Sequence, residues 1–358
     1  MSESPSVSEF PRVLELISAP DASAGILAQH RLDQLTKPTG SLGRLEELAR
    51  GLAEISGRCP PELAHPVIFI LAGDHGVVEE RVSAYPQAVT AQMVENFLQG
   101  GAAINVLARH AGARVVVADF GIAGPLSPHV ALRSHRIGPG TRNMSREPAM
   151  TGVEARAAIE AGIALVESER PRGLDLIGTG EMGIGNTTAA SAIVAVLTGA
   201  PVAAVTGRGT GVDGAGRRRK IEAIERAILV NQPDPDDALD VLAKVGGFEI
   251  AGLVGVVLAA ARHHIPVVVD GFISSAAALA AIRMAPAARH YLLASHRSAE
   301  PGHRHALDAL GLEPYLDLGM RLGEGTGAAL CIDLARAAVK LLTEMATFKS
   351  AGVSTETR

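Results

Sequence analysis

The chain has 358 residues, with 33 lysines and arginines against 38 aspartates and glutamates, for a formal net charge of -5. That balance excludes whole-chain attraction to nucleic acid or an anionic membrane, and two cysteines, Cys59 and Cys331, exclude a disulfide scaffold and fit a reducing, cytoplasmic setting. Hydrophobic residues make up 47% but aromatics only 3%, so the core is Ala, Val, Leu and Ile, and stacking platforms of many aromatics are not indicated.

Residues 1–30 read as a polar arm and a modest helix. A loop follows at Lys37–Gly40, then Ser41 as a cap, and Leu42, Leu45, Leu48, Leu52 and Ile55 at helical spacing. PVIFILAGD (66–74), RVVVADFG (114–121) and LDLIGTG (174–180) are short apolar runs, each ending in a glycine-containing polar loop. Such runs are what a parallel sheet covered on both faces requires. VTAQMVENFLQGGAAINVLARHAG, between the first two, reads as one crossover helix. Val202–Thr206 and 265–271 are further strand candidates, and 188–198, 215–230, 247–262 and 273–283 further helices. From Tyr291 to Gly311 the chain is rich in His, Arg, Ser and Glu. A glycine-rich loop and an amphipathic helix (330–348) then close the sequence.

Strands alternating with helices of this length predict an α/β fold. The longest uncharged stretch, Met182–Gly207, carries Asn186, Thr187, Thr188, Ser191, Thr198 and Pro201, and reads as helix, turn and buried strand rather than a membrane span. No targeting segment is expected.

Gly178, Gly180 and Gly183 spell G-x-G-x-x-G after a strand. A dinucleotide site also needs an acid about 20 positions on, at the end of the next strand. Here no Asp or Glu lies between Glu181 and Asp213. What survives is a site for one phosphate at the start of a helix, with Asn186 or a following Thr as cap. The second glycine loop, GRGTGVDG (207–214), offers Arg208, Asp213 and, in the helix beyond it, Lys220; the third, GMRLGEGTG (319–327), sets Glu324 between glycines. Asp74 and His75 stand at a strand end, where open parallel sheets form their ligand crevice. Arg142, Asn143 and Arg146, and then His296, Arg297, Glu300 and His303, mark two polar loops suited to anions or to structural hydrogen bonds. No metal-ligand spacing, nucleophile elbow or P-loop occurs. From the residues alone, the chain reads as an enzyme acting on a phosphorylated small molecule, with Glu181, Glu324 and Asp74 as candidate acid–base groups.

Several stretches resemble one family in order along the chain: LDQLTKPTGSLGRLEELA, AGDHGVVEERVSAYPQAVTAQMV, GTRNMSREPAM, GEMGIGNTTAASA, GRGTGVD, PVVVDGFISSAAAL, SHRSAEPGH and LDLGMRLGEGTGAAL, among others. The chain is similar to nicotinate-nucleotide–dimethylbenzimidazole phosphoribosyltransferases, over residues of about 32 to about 348. The resemblance implies a three-layer α/β/α fold with a mainly parallel, Rossmann-like sheet, plus a smaller helical domain built from both chain ends. In this numbering the ends would be 1–60 and 331–358, around a catalytic domain of 61–330. It implies a cytoplasmic homodimer with no metal or other cofactor, and no nucleic-acid or membrane partner. Its substrates would be nicotinate mononucleotide and 5,6-dimethylbenzimidazole. Glu324 would be the general base. Glu181 and Lys220 would lie near ribose and phosphate, and Gly180, Gly183, Gly185 and Asn186 would form the phosphate loop with Gly209. Ser83, Tyr85, Gln87 and Met93 would line the slot for the heterocycle. One departure is Val212–Asp213–Gly214, where the family often has two successive acids. The competing readings are a mononucleotide sensor without turnover and an NAD-dependent oxidoreductase.

Overall fold

The computed structural model describes residues 9–354. The N-terminal helices are α1 (Glu9–Leu16), α2 (Ser23–Asp33) and α3 (Arg44–Ser56). Then come β1 (Pro66–Gly73), α4 (Val89–Gln99), α5 (Ala103–His110), β2 (Arg114–Gly121), β3 (Leu132–Ser134), α6 (Gly152–Glu169) and β4 (Leu176–Met182). The long link to the next strand holds α7 (Asn186–Thr198), α8 (Val202–Val205), α9 (Gly214–Asn231), α10 (Ala238–Val245) and α11 (Phe248–Arg262). The chain closes with β5 (Val267–Val269), α12 (Gly271–Met284), β6 (Leu292–Ala294), α13 (Pro301–Leu310), α14 (Thr326–Glu344) and α15 (Phe348–Ala351).

The six strands form one all-parallel sheet in the order β3-β2-β1-β4-β5-β6. β1 is buried along its whole length, as a central strand covered on both faces must be. Its side chains alternate between two cores. Val67, Phe69 and Leu71 join α1, α6, α7 and α9–α13 on one face. Ile68, Ile70 and Ala72 join α2–α5 and α14 on the other. The result is the expected α/β/α layering. Helices α2, α3 and α14 pack together outside the second face, whereas α1 packs on α6 and α11. Among the described residues, no helix is long and apolar enough to cross a membrane.

The tightest helix–helix contact within that first layer is α6 on α11. A Cβ at Gly162 would collide with the carbonyl of Gly252, and one at Gly255 with that of Ile159. Glycines on both helices bring the backbones into contact and let α11, buried on nearly every side, lie flat beneath the sheet.

Several local expectations are corrected. Val202–Thr206 is not a strand: Val202–Val205 forms α8, entered through Pro201 and ended at the extended residue Thr206. The single crossover helix is two helices, broken where Gly100 takes φ 80°. The cap of α3 is Gly43, not Ser41. The cap of α7 is Gly185, and Asn186 is its first helical residue. The polar stretch from Tyr291 contains β6 and α13, and β3 was not foreseen.

Candidate active site

β1 pairs with both β2 and β4, so crossovers leave the sheet in opposite directions there. In open parallel sheets the ligand crevice lies beyond the carboxyl ends of strands at such a point. The carboxyl ends of β4, β5 and β6 open into a cavity of about 490 Å³, closed above by Arg321–Glu324.

Glu324 occupies that roof in a left-handed turn. Gly323, Glu324 and Gly325 have φ of 80°, 62° and 84°. The turn lies directly on β4, where a Cβ at Gly180 would stand 2.9 Å from the Glu324 carbonyl oxygen. Asp270, just after β5, fixes the turn from below. Its Oδ2 accepts from Gly325 N–H (2.9 Å) and its Oδ1 from Gly327 (2.7 Å) and Ala328 (3.1 Å), at the start of α14. Burial, and then the charge of Asp270, push the Glu324 carboxyl up to about 7. A carboxylate with that value is half ionised near neutrality and suited to accept a proton.

Glu181 ends β4 and is buried. Asn186 Nδ2 donates to its Oε2, so the first residue of α7 ties strand end to helix start. Burial pushes this carboxyl up to about 8, with Asp270 and Glu249 adding to the shift and Asn186 opposing it. Gly183 passes so near Gly73 that a Cβ would strike its carbonyl oxygen. Gly185 takes φ 97° to open α7, whose first residues Asn186 and Thr187 line the crevice.

Lys220 is fully buried on α9 and donates to Thr187 Oγ1 at 2.8 Å. Burial lowers its ammonium to about 8, against the opposing charge of Glu300. Gly209, at φ 52°, lies against both Lys220 and Thr187, and its N–H donates to Glu300 Oε1 at 2.9 Å. Thr187 and Gly209 reach the cavity wall; Lys220 stands behind them. The cation run 217–220 thus divides. Arg218 and Arg219 are exposed, Arg217 holds the carbonyls of Thr206 and Ala203, and Lys220 is turned inward.

An apolar wall comes from the chain after β1. Tyr85, Val89 and Met93 form it with Met182 and Ile184. Gln87 does not line the cavity, and neither does Ser83. Ser83 Oγ instead pairs with Thr210 Oγ1 at 3.2 Å and accepts from Tyr85 N–H at 3.1 Å, tying this wall to the Gly209 loop. Gly180 and Gly185 act through backbone approach and are likewise outside the lining.

Asp270, Phe272 and Arg321, not singled out in the sequence, also line it, as do Thr187 and, from the polar loop offered for anions or structural hydrogen bonds, His296 and Glu300. For Asp270 a signal existed: an acid followed by glycine at the end of a strand. Asp74 and His75 lie deeper. His75 Nε2 meets Glu249 Oε1 at 2.7 Å, and the imidazole is committed to that buried pair. Asp213 caps α9 through Gly216 N–H at 2.7 Å, which accounts for it without a ligand. Arg142 and Arg146 pair with Glu154 and Glu79 away from the cavity.

Glycine turns at a helix start, a buried lysine behind them and a carboxylate raised to about 7 above them suit an enzyme acting on a phosphorylated small molecule. A family model described as Phosphoribosyltransferase matches residues 17–353. The nicotinate-nucleotide–dimethylbenzimidazole phosphoribosyltransferase of Roseiflexus sp. (strain RS-1) is 58% identical over 334 residues, 93% of this chain and 95% of the relative. That of Desulforudis audaxviator (strain MP104C) is 56% identical over 343 residues, 96% and 97% of the two chains. The crystal structure of CobT from Thermus thermophilus superposes with a TM-score of 0.90 at 50% identity, covering 93% of this chain and 99% of that one. The chain belongs to the nicotinate-nucleotide–dimethylbenzimidazole phosphoribosyltransferase family.

Proposed function

We propose that the protein transfers the phosphoribosyl group of nicotinate mononucleotide to 5,6-dimethylbenzimidazole, giving α-ribazole 5'-phosphate and nicotinate. The observation that carries this reading, beside the family, is the placement of Glu324. It lies over β4 and lines the same cavity as Gly183, Gly209 and the apolar residues Tyr85, Val89 and Met93. Gly183, Gly185 and Asn186 take the phosphate with Gly209, and Lys220 supplies charge through Thr187. The apolar wall takes the benzimidazole. One ring nitrogen of the base attacks C1', and the bond from C1' to the pyridinium nitrogen breaks. The electron pair of that bond returns to the pyridine ring, so the leaving group needs no proton. The benzimidazole N–H proton passes to Glu324. Displacement from the opposite face converts the β to the α configuration. Negative charge from the surrounding acids stabilises the oxocarbenium-like ribosyl centre.

The test is a product assay with both substrates, following nicotinate and the new ribotide by chromatography. Matched formation of the two, with the α configuration shown by NMR, supports the reading. Nucleotide binding without nicotinate release, across benzimidazole, adenine and phenolic acceptors, overturns it. The resemblance also supports a cytoplasmic homodimer in which α2, α3 and α14 act as a small helical unit; sedimentation at several concentrations tests the dimer.

A further inference from the structure

Charge is unevenly divided around the crevice. Four buried acids, Glu181, Asp270, Glu300 and Glu324, line the main cavity, and Arg321 is the one arginine or lysine among its described lining residues. A second depression, of about 460 Å³, adjoins it and shares Glu300 and Arg321 with it. Its other charged residues are Arg208, from the second glycine loop, and Arg217, on α9. Three guanidinium groups therefore meet one carboxylate there, and that carboxylate already accepts from Gly209 N–H at 2.9 Å.

The three arginines are not committed to acids. Arg142, Arg146 and Arg226 each pair with a glutamate, but Arg208, Arg217 and Arg321 form no ion pair among the described residues. Arg217 is held by neutral carbonyls. Its Nε donates to Thr206 (2.8 Å) and its Nη2 to Ala203 (2.6 Å), which leaves Nη1 without a protein acceptor among the described residues. Arg321 Nη1 reaches only the Gly209 carbonyl, at 3.4 Å, and the exposed Arg208 makes no hydrogen bond among those residues. A guanidinium fixed by carbonyls keeps its whole charge, and its remaining N–H edge is preset for an oxyanion. A phosphate ester carries about −1.5 to −2 charges near neutrality. The acid-lined cavity offers such a group no attraction over distance, whereas the arginine depression beside it does. We propose that Arg208, Arg217 and Arg321 form an outer phosphate site, which captures the phosphate of the arriving mononucleotide before it passes to the glycine turns. The part this site plays in turnover rests on the reaction proposed above.

Steady-state kinetics at low and high potassium chloride compares the parent with Arg208→Glu, Arg208→Lys and Arg58→Glu. Arg58 is exposed and outside both pockets, so its reversal makes the same change in net charge elsewhere. Arg208→Glu should lower kcat/KM for the mononucleotide about tenfold or more at low salt and about threefold or less at high salt, with kcat within about twofold. Arg208→Lys should keep most of the parent's value, and Arg58→Glu should follow the parent. No loss in Arg208→Glu, a loss that salt does not reduce, or an equal loss in Arg58→Glu overturns the inference. Inorganic phosphate, followed by ³¹P NMR line broadening, tests the site without turnover. Gly183→Ala, which displaces the inner turn, should still bind it, and Gly183→Ala/Arg208→Glu should bind it about fivefold more weakly or worse. No binding to Gly183→Ala, or equal binding to both variants, overturns the outer site. A parent that turns over no donor defeats the reaction reading, and the phosphate titration still decides the site.

Discussion

Glu324 holds a backbone conformation that side chains other than glycine rarely adopt, φ 62°, and does so between two glycines that share it. Asp270 offsets that strain through three backbone hydrogen bonds, so the acid is presented rigidly above β4. Glu324→Gln keeps the shape and removes the proposed base. It should lower kcat by about 10²–10⁴-fold with little change in mononucleotide affinity, read by steady-state kinetics and calorimetry. Retention of turnover within about twofold would show that another group takes the proton. The pH profile gives an independent check. On the proposed mechanism Glu324 is ionised, so kcat/KM should rise through about 7. Lys220 is charged on the same proposal, so it should fall as its ammonium is lost through about 8. A narrow bell is the expected form, and Glu324→Gln should abolish its rising limb. That Glu324, Glu181 and Asn186 line the cavity was legible because each stands in a glycine-rich motif at a strand or loop end. Asp270 carried a signal as an acid before glycine at a strand end, but its role in bracing the turn was not legible, because its partners lie 55 to 58 positions away and only the fold brings them together.

Strands β1, β2 and β4 were legible as long, buried apolar runs, since a doubly covered parallel strand leaves that mark. β3 and β6 were not: each is three residues long, and unlike the VVV of β5 they sit as LRS and LLA among polar and charged neighbours. The misreading of 202–206 has a related cause: a short apolar run does not distinguish a strand from a helical turn. The glycines make sharper statements at this scale. Gly183→Ala would drive a methyl group into the carbonyl of Gly73. It should raise the KM for the mononucleotide by displacing the turn ahead of α7, while far-ultraviolet circular dichroism stays near the parent's. Gly162→Ala belongs to the core instead. Its methyl would meet the backbone of α11, and the expected cost is about 1–3 kcal/mol or more in denaturant unfolding, with kcat/KM little affected at temperatures where the variant is folded.

Across the whole molecule, one sheet order places segments from residues 85–93, 181–210 and 270–324 around one crevice. The sequence pattern supported the layering but not the neighbours of each loop, which follow from which strand lies beside which. The same convergence buries acids at a cost. The Glu181 carboxyl stands at about 8 in the folded chain, above its ordinary 4.5. The folded state therefore binds the proton more tightly than the unfolded one. Its contribution to stability is full below about 4.5 and is lost as the pH rises through about 8. Glu181→Gln should flatten this part of a plot of melting temperature against pH, and an unchanged slope would place the titration elsewhere.

The crowd of carboxylates around the crevice also bears on how a catalytic cycle ends. The donor arrives with a positively charged pyridinium ring, which the acids attract. Once the glycosidic bond is broken, that ring is neutral and keeps only its own negative charge. The field that drew the ring in then opposes what remains of it. Glu324 has by then gained a proton, and its return to the ionised form, above about 7, restores the full repulsion. On the proposed reaction, deprotonation of the base and departure of nicotinate are thus one electrostatic event, and resetting the enzyme clears it.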